Sequence, residues 1–142
     1  MRAVLNVFVA GIGMLVWAGP ILAHHSFDAQ YDRSKTVEMK GLVTKVEWTN
    51  PHARFYVDVK DGNEEVTNWN MELGSPNGLT RAGWTRHSLK IGDEVTVIAF
   101  LARDGSQMAN ARDVILADGK KVFAASSAGP AVGESTSDRP QR

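Results

Sequence analysis

The sequence holds four histidines, and two of them, His24 and His25, stand side by side in "ILAHHSF", directly after an apolar run. A polypeptide that begins with histidine offers a metal ion two nitrogens at once, the free α-amino group and the imidazole. A second imidazole from elsewhere in the chain completes a three-nitrogen, T-shaped site. Such a set suits Cu(II), by its high place in the Irving–Williams order and its tetragonal preference. His25 would add another imidazole and a backbone amide. The remote ligand expected is His52, after the Asn50–Pro51 turn, with His87 as a weaker choice in a helical connection. The plain alternative is that the paired histidines are only a polar start to the mature chain, and that His52 merely hydrogen-bonds a backbone group.

This chemistry requires that His24 become an amino terminus. The chain opens Met1-Arg2 and continues "AVLNVFVAGIGMLVWAGPILA", an apolar core broken by Gly19-Pro20 and followed by the small residue Ala23. That is the layout of a secretory signal peptide. An uncleaved anchor competes, because about 20 apolar residues can span a bilayer, but the Gly-Pro break and the lack of a basic cluster favour cleavage. A cut after Ala18 would leave a greasy tail. A cut after Ala23 puts the proline at a sensible distance, removes residues 1–23 and starts the mature chain at His24. The expectation is therefore a periplasmic or secreted protein with no stable membrane insertion after cleavage.

Composition excludes several classes. Sixteen basic and sixteen acidic residues give a net charge of zero, and loss of Arg2 with the leader makes the mature chain −1. A protein that binds nucleic acid by neutralising phosphates would show a basic surplus. There are no cysteines, so disulfides, thiolate catalysis, zinc–thiolate sites and lipid attachment through an N-terminal cysteine are excluded.

The elements that must position the histidines come next. Residues 24–35, "HHSFDAQYDRSK", read as an extended N-terminal arm that Phe27 and Tyr31 could pin to the body. "TVEMKGLVTKVEW" (36–48) alternates as a long strand whose register changes near Gly41, a glycine placed to mark a bulge or bend. "HARFYVDVKD" (52–61) is a second strand with Phe55, Val57 and Val59 on one face, and "DGN" is a hairpin turn. "EEVTNWNMEL" (64–73) is a third strand, with Val66, Trp69, Met71 and Leu73 as candidates for burial. Ser75 can cap a helix over 76–83 with Pro76 in its first turn. A fourth strand falls within 90–103, a fifth around 111–116, and a short final strand follows the "DG" turn. From Ala124 to Arg142 the chain turns to Ala, Ser, Gly, Pro and charge, the composition of a disordered tail. The folded body is thus expected over 36–123. Five strands with one short helix between the third and fourth is the element order of an OB-like five-stranded small barrel, all-β in class. A small open sandwich is the alternative.

The aromatic residues admit two readings. Trp48, Tyr56 and Trp69, with Arg81, could form a barrel face that stacks on a sugar, base or peptide. The competing reading makes Trp48, Trp69 and Trp84 the core of a small domain that needs large side chains to fill it. Phe55 and Tyr56 must point to opposite faces of their strand. Glu72, Ser75, Asn77 and Arg81 could line a pocket, although Asp58 and Glu72 otherwise read as lone acids. Ser75, His87 and Asp93 could be assembled into a hydrolytic triad only as any chain of this length allows.

The words "AHHSF", "VEWTNPHARFYVDV", "NWNMELGSPNGLTRAGW", "LKIGDEVTV" and "RDGS…NARDVILADGKKVF" occur in that order. Together, over about residues 23–123, they resemble a family of small exported proteobacterial proteins known only as a domain of unknown function. The resemblance implies export and one compact domain, and it implies no activity, ligand or catalytic residue. The element order is more loosely similar to bacterial periplasmic OB-fold proteins, a likeness of fold and not of function. The expected role is a non-enzymatic exported binding protein, with copper as its most concrete ligand. The alternative is an envelope interaction module for a peptide, glycan or partner protein. A small copper oxidase or oxygenase is a third reading.

Overall fold

A computed structural model of the chain describes residues 27–124. The expected leader, His24 and His25, and the expected tail beyond Ala124 lie outside the described residues. Six strands form one sheet: β1 (Tyr31–Glu47), β2 (Arg54–Lys60), β3 (Val66–Glu72), β4 (Glu94–Ala102), β5 (Met108–Leu116) and β6 (Lys121–Phe123). The strand order is β3-β2-β1-β4-β5-β6, and a further pairing of β3 with β5 closes five of the strands into a ring. Neighbours are antiparallel except β3 and β5, which run parallel. This is the OB-like, barrel-like architecture that the element order predicts. Among the described residues no helix is long and apolar enough to cross a membrane.

Alternation builds the ring. Phe55 and Val57 on β2, Met71 on β3, Val95, Val97 and Ala99 on β4, and Ala109, Ala111 and Val114 on β5 point inward and are buried. The long strand β1 serves two partners, pairing with β4 from Tyr31 to Leu42 and with β2 from Gly41 to Glu47. At the crossover, a side chain at residue 41 would run into the Asp58 carbonyl oxygen and the Val57 side chain, so glycine is what lets β1 and β2 approach. The bulge expected near Gly41 lies between Val43 and Lys45 instead. The β2–β3 turn is organised by Asp61, whose Oδ1 accepts from the backbone of Asn63 (2.8 Å) and Glu65 (3.0 Å).

One short helix, α1 (Pro76–Arg81), connects β3 to β4. Ser75 caps it, its hydroxyl accepting from the Gly78 amide at 3.1 Å, with Pro76 in the first turn. Leu79 of α1, with Trp84 and Leu89 beyond it, is buried in the core and plugs the ring.

Some expectations are corrected. The first strand begins at Tyr31, not residue 36, so part of the expected arm is strand, and residues 27–30 form a second short helix. Val66 is 56 % exposed, because strand alternation turns it to the face opposite the inward-pointing Trp69 and Met71, where it pairs with Lys60. Ala124, expected to open the tail, is buried and bonds through its backbone to Gly74 and Arg112.

Candidate functional site

The hairpin register sets Arg54 on β2 directly opposite Glu72 on β3, and the parallel pairing sets Asn110 of β5 on the other side of Glu72. All three alternate with inward-pointing residues and so face the outside of the ring. Glu72 is nevertheless only 3 % exposed. A carboxylate removed from water in this way needs charged and hydrogen-bonded partners, and it has them. Arg54 Nη2 donates to Glu72 Oε2 at 2.6 Å, and Asn110 Nδ2 donates to Oε1 at 3.3 Å. His52 Nδ1 lies 3.3 Å from the same Oε1. The other guanidinium nitrogen, Arg54 Nη1, reaches Asn70 Oδ1 at 3.3 Å and the Met108 sulfur at 3.5 Å.

The arm roofs this cluster. Phe27, Tyr31, Phe100 and Ala102 form a small apolar cluster of their own on the outer face, with Met108 packed against it. The Phe27 ring lies 5.3 Å from the Tyr31 ring and meets Phe100 edge-on at 6.1 Å. The Arg33 guanidinium covers the other side of Phe27 at 4.4 Å. The Arg103 amide donates to the Gln30 carbonyl at 2.9 Å, and its Nε donates to the Asp28 carbonyl at 2.7 Å. Tyr31 is 1 % exposed, and its hydroxyl has no completed hydrogen bond among the described residues. Burial, and then the nearby Glu72 charge, push the Tyr31 phenol well above its ordinary range. Tyr31 therefore links the arm to the Glu72 cluster.

Of the expected metal ligands, His52 stands at the edge of this cluster with 34 % of its side chain exposed. His24 and His25 lie outside the described residues. Among the described residues no three His, Cys, Asp or Glu side chains converge as a metal site. His87 is exposed, and its backbone amide donates to Thr85 Oγ1.

The expected aromatic surface is not assembled. Trp48 and Trp69 are half-buried against the core, and Trp69 shares its face with Val57. Tyr56 points the other way, its hydroxyl donating to Glu47 Oε2 at 3.2 Å and its ring lying under Lys45. Arg81 is exposed at the end of α1. The triad has no support either, since Ser75 caps α1 and Asp93 Oδ2 accepts from the Lys90 amide at 2.8 Å.

Two features escaped the sequence. One is the partnership of Arg54 with Glu72, which counting outward from Asn63 at the middle of the turn would have found. The other is a groove of about 610 Å³ on the outer face, lined by Leu42, Val66, Lys40, Asp58, Lys60 and Glu94. Leu42 is 51 % exposed there, and no local signal distinguishes its exposed apolar side chain from a buried one.

Comparison with curated proteins finds no match to this chain. Residues 13–111, a span that takes in His24, His25, His52, Arg54 and Glu72, match a family of unknown function (DUF6152), and the chain belongs to that family.

Proposed function

We propose that the protein is an exported, non-enzymatic Cu(II)-binding protein that captures or delivers the metal. The ion is held by the α-amino and imidazole nitrogens of His24 once the leader has been removed, with His25 and His52 as helpers. The observation that carries this reading is the docking of the arm. Phe27 and Tyr31 are buried on the outer face, Tyr31 lies against Glu72, and Glu72 faces His52. In this reading, a mature chain that starts three residues before the docked Phe27 brings His24 to the exposed edge of His52. Neutral imidazole and amine nitrogens are the donor types that Cu(II) prefers.

The test is a Cu(II) titration of the chain beginning at His24, beside the same chain with its α-amino group acetylated. Expected is tight binding that weakens strongly on acetylation, because the blocked nitrogen no longer closes the chelate ring with the His24 imidazole. The exported protein, sequenced from its amino terminus, should begin at His24. Equal binding by the two chains overturns the reading. Attention would then move to the groove at Leu42 and Val66 as a partner surface for an envelope interaction module.

A further inference from the structure

We infer that a second copy of this chain covers the groove at Leu42 and Val66, packing face to face across a two-fold axis. The inference goes beyond the copper reading and does not depend on it. Among the described residues the exposed large aliphatic side chains are Leu42, Val66 and Ile91. Single exposed aliphatics are ordinary, but several gathered in one place mark a contact surface. These gather at one end of the ring. Leu42 and Val66 line the same groove. Ile91 sits in the turn before β4, which is tied to β1 beside Leu42. There the Val43 amide donates to the Asp93 carbonyl at 2.9 Å, and the Gly92 amide donates to the Val43 carbonyl at 2.7 Å.

The charges around the groove indicate what covers it. Cross-strand register puts Leu42 between Asp58 of β2 and Glu94 of β4, with all three side chains on one face. One step further along that face, the same register sets Lys40 of β1 beside Lys60 of β2, and Lys60 is opposite Val66 of β3. An acidic row therefore lies next to a basic row, with an aliphatic side chain in each. A polyanion, or a peptide of one charge sign, would meet like charge in one of the rows. A second copy, given half a turn about an axis between the rows and across the strands, lays each acidic row on the other's basic row. Asp58 of each copy then meets Lys60 of the other, and the Lys40 stem covers Leu42 of the other. Within one chain Lys40 meets Glu94 at 2.9 Å and Lys60 meets Glu64 at 2.7 Å. Exposed pairs of that kind contribute little and can exchange partners at little cost.

Sedimentation equilibrium of the mature chain tests this, with a chelator present so that no metal bridges two copies. The patch is small, so a weak monomer–dimer equilibrium is expected between micromolar and millimolar concentrations. Leu42→Lys, at an exposed position, sets a lysine against Lys40 of the other copy and should weaken the dimer at least about 10-fold. Asp58→Lys and Lys60→Asp should each lose the dimer when alone. An equimolar mixture of the two should regain it, because only the mixed pair sets opposite charges together at both contacts. A wild-type chain that stays monomeric throughout overturns the inference and leaves the groove to a different partner. A dimer that all three substitutions leave intact overturns it too, and so does a mixture that associates no better than its components. If Asp58→Lys fails to fold, Leu42→Lys and Lys60→Asp decide the matter, since both positions are exposed.

Discussion

Tyr31 is a large polar side chain in an apolar place, and that has a pH consequence. Its hydroxyl is buried beside the Glu72 carboxylate, so ionising it in the folded chain would put a second negative charge where water cannot screen the first. The folded phenol thus keeps its proton above pH 10, where a tyrosine of the unfolded chain has begun to lose it. A folded-state value raised in this way contributes stability that is fully present below the unfolded value of about 10 and is lost as pH rises beyond it. The loss should approach about 1.4 kcal/mol per pH unit, one proton's worth. Chemical denaturation of the wild type and Tyr31→Phe between pH 8 and 11.5 checks this. The variant should lack the alkaline loss that Tyr31 causes. Near neutral pH it should differ from the wild type by less than about 1 kcal/mol, because the hydroxyl completes no hydrogen bond there. Nothing in "FDAQYDRSK" announces that environment. Tyr31 is an ordinary amphipathic residue until Glu72, 41 positions away, is folded against it.

At the scale of elements, the strands of the β2–β3 hairpin were legible because period-2 alternation and an Asp-Gly turn are local signals. The helix cap at Ser75 and Pro76 was legible for the same reason. The start of β1 was not. Residues 31–35 are polar, and their strand conformation comes from pairing with β4 and from the Phe27–Tyr31–Phe100 cluster, which only the fold brings together. In the sequence Glu72 reads as a lone acid, because burial on the outer face of a barrel strand is invisible in alternation. It follows from the arm covering that face. The arm should accordingly be a separable unit. Phe27→Ala removes the central ring of its cluster, and such truncations cost about 3–5 kcal/mol in a full core. In this smaller satellite about 2 kcal/mol is expected, felt as local opening rather than global unfolding. The Arg103 amide, bonded to the Gln30 carbonyl, is the reporter. Its hydrogen exchange should quicken about 30-fold in Phe27→Ala while amides between β2 and β3 keep their protection. Equal acceleration everywhere would mean that the arm and the ring unfold together.

For the whole molecule, the question is whether the metal ties the arm to the ring or hangs from the chain end alone. Ring closure places β3 between β2 and β5, and this holds Glu72 between Arg54 and Asn110 and keeps His52 at the rim. The proposed copper site, by contrast, requires the arm to be docked for the amino terminus to meet His52. Thermodynamic linkage separates the two cases. A ligand stabilises the folded state only to the extent that it binds that state more tightly than the unfolded one. The α-amino group and imidazole of His24 are adjacent in sequence and can chelate Cu(II) equally well in an unfolded chain, so a site made of those alone leaves stability unchanged. A site that also takes His52 exists only in the folded chain. Thermal unfolding of the mature protein with and without Cu(II) should then show stabilisation that grows with metal concentration. Its ceiling is about 2.7 kcal/mol at free metal 100 times the dissociation constant, and binding retained by the unfolded chain lowers it. His52→Ala should abolish the stabilisation while keeping residual binding at the chain end. Phe27→Ala should diminish it, since part of the binding energy must then go into docking the arm. Stabilisation that survives His52→Ala would move the remote ligand elsewhere on the ring.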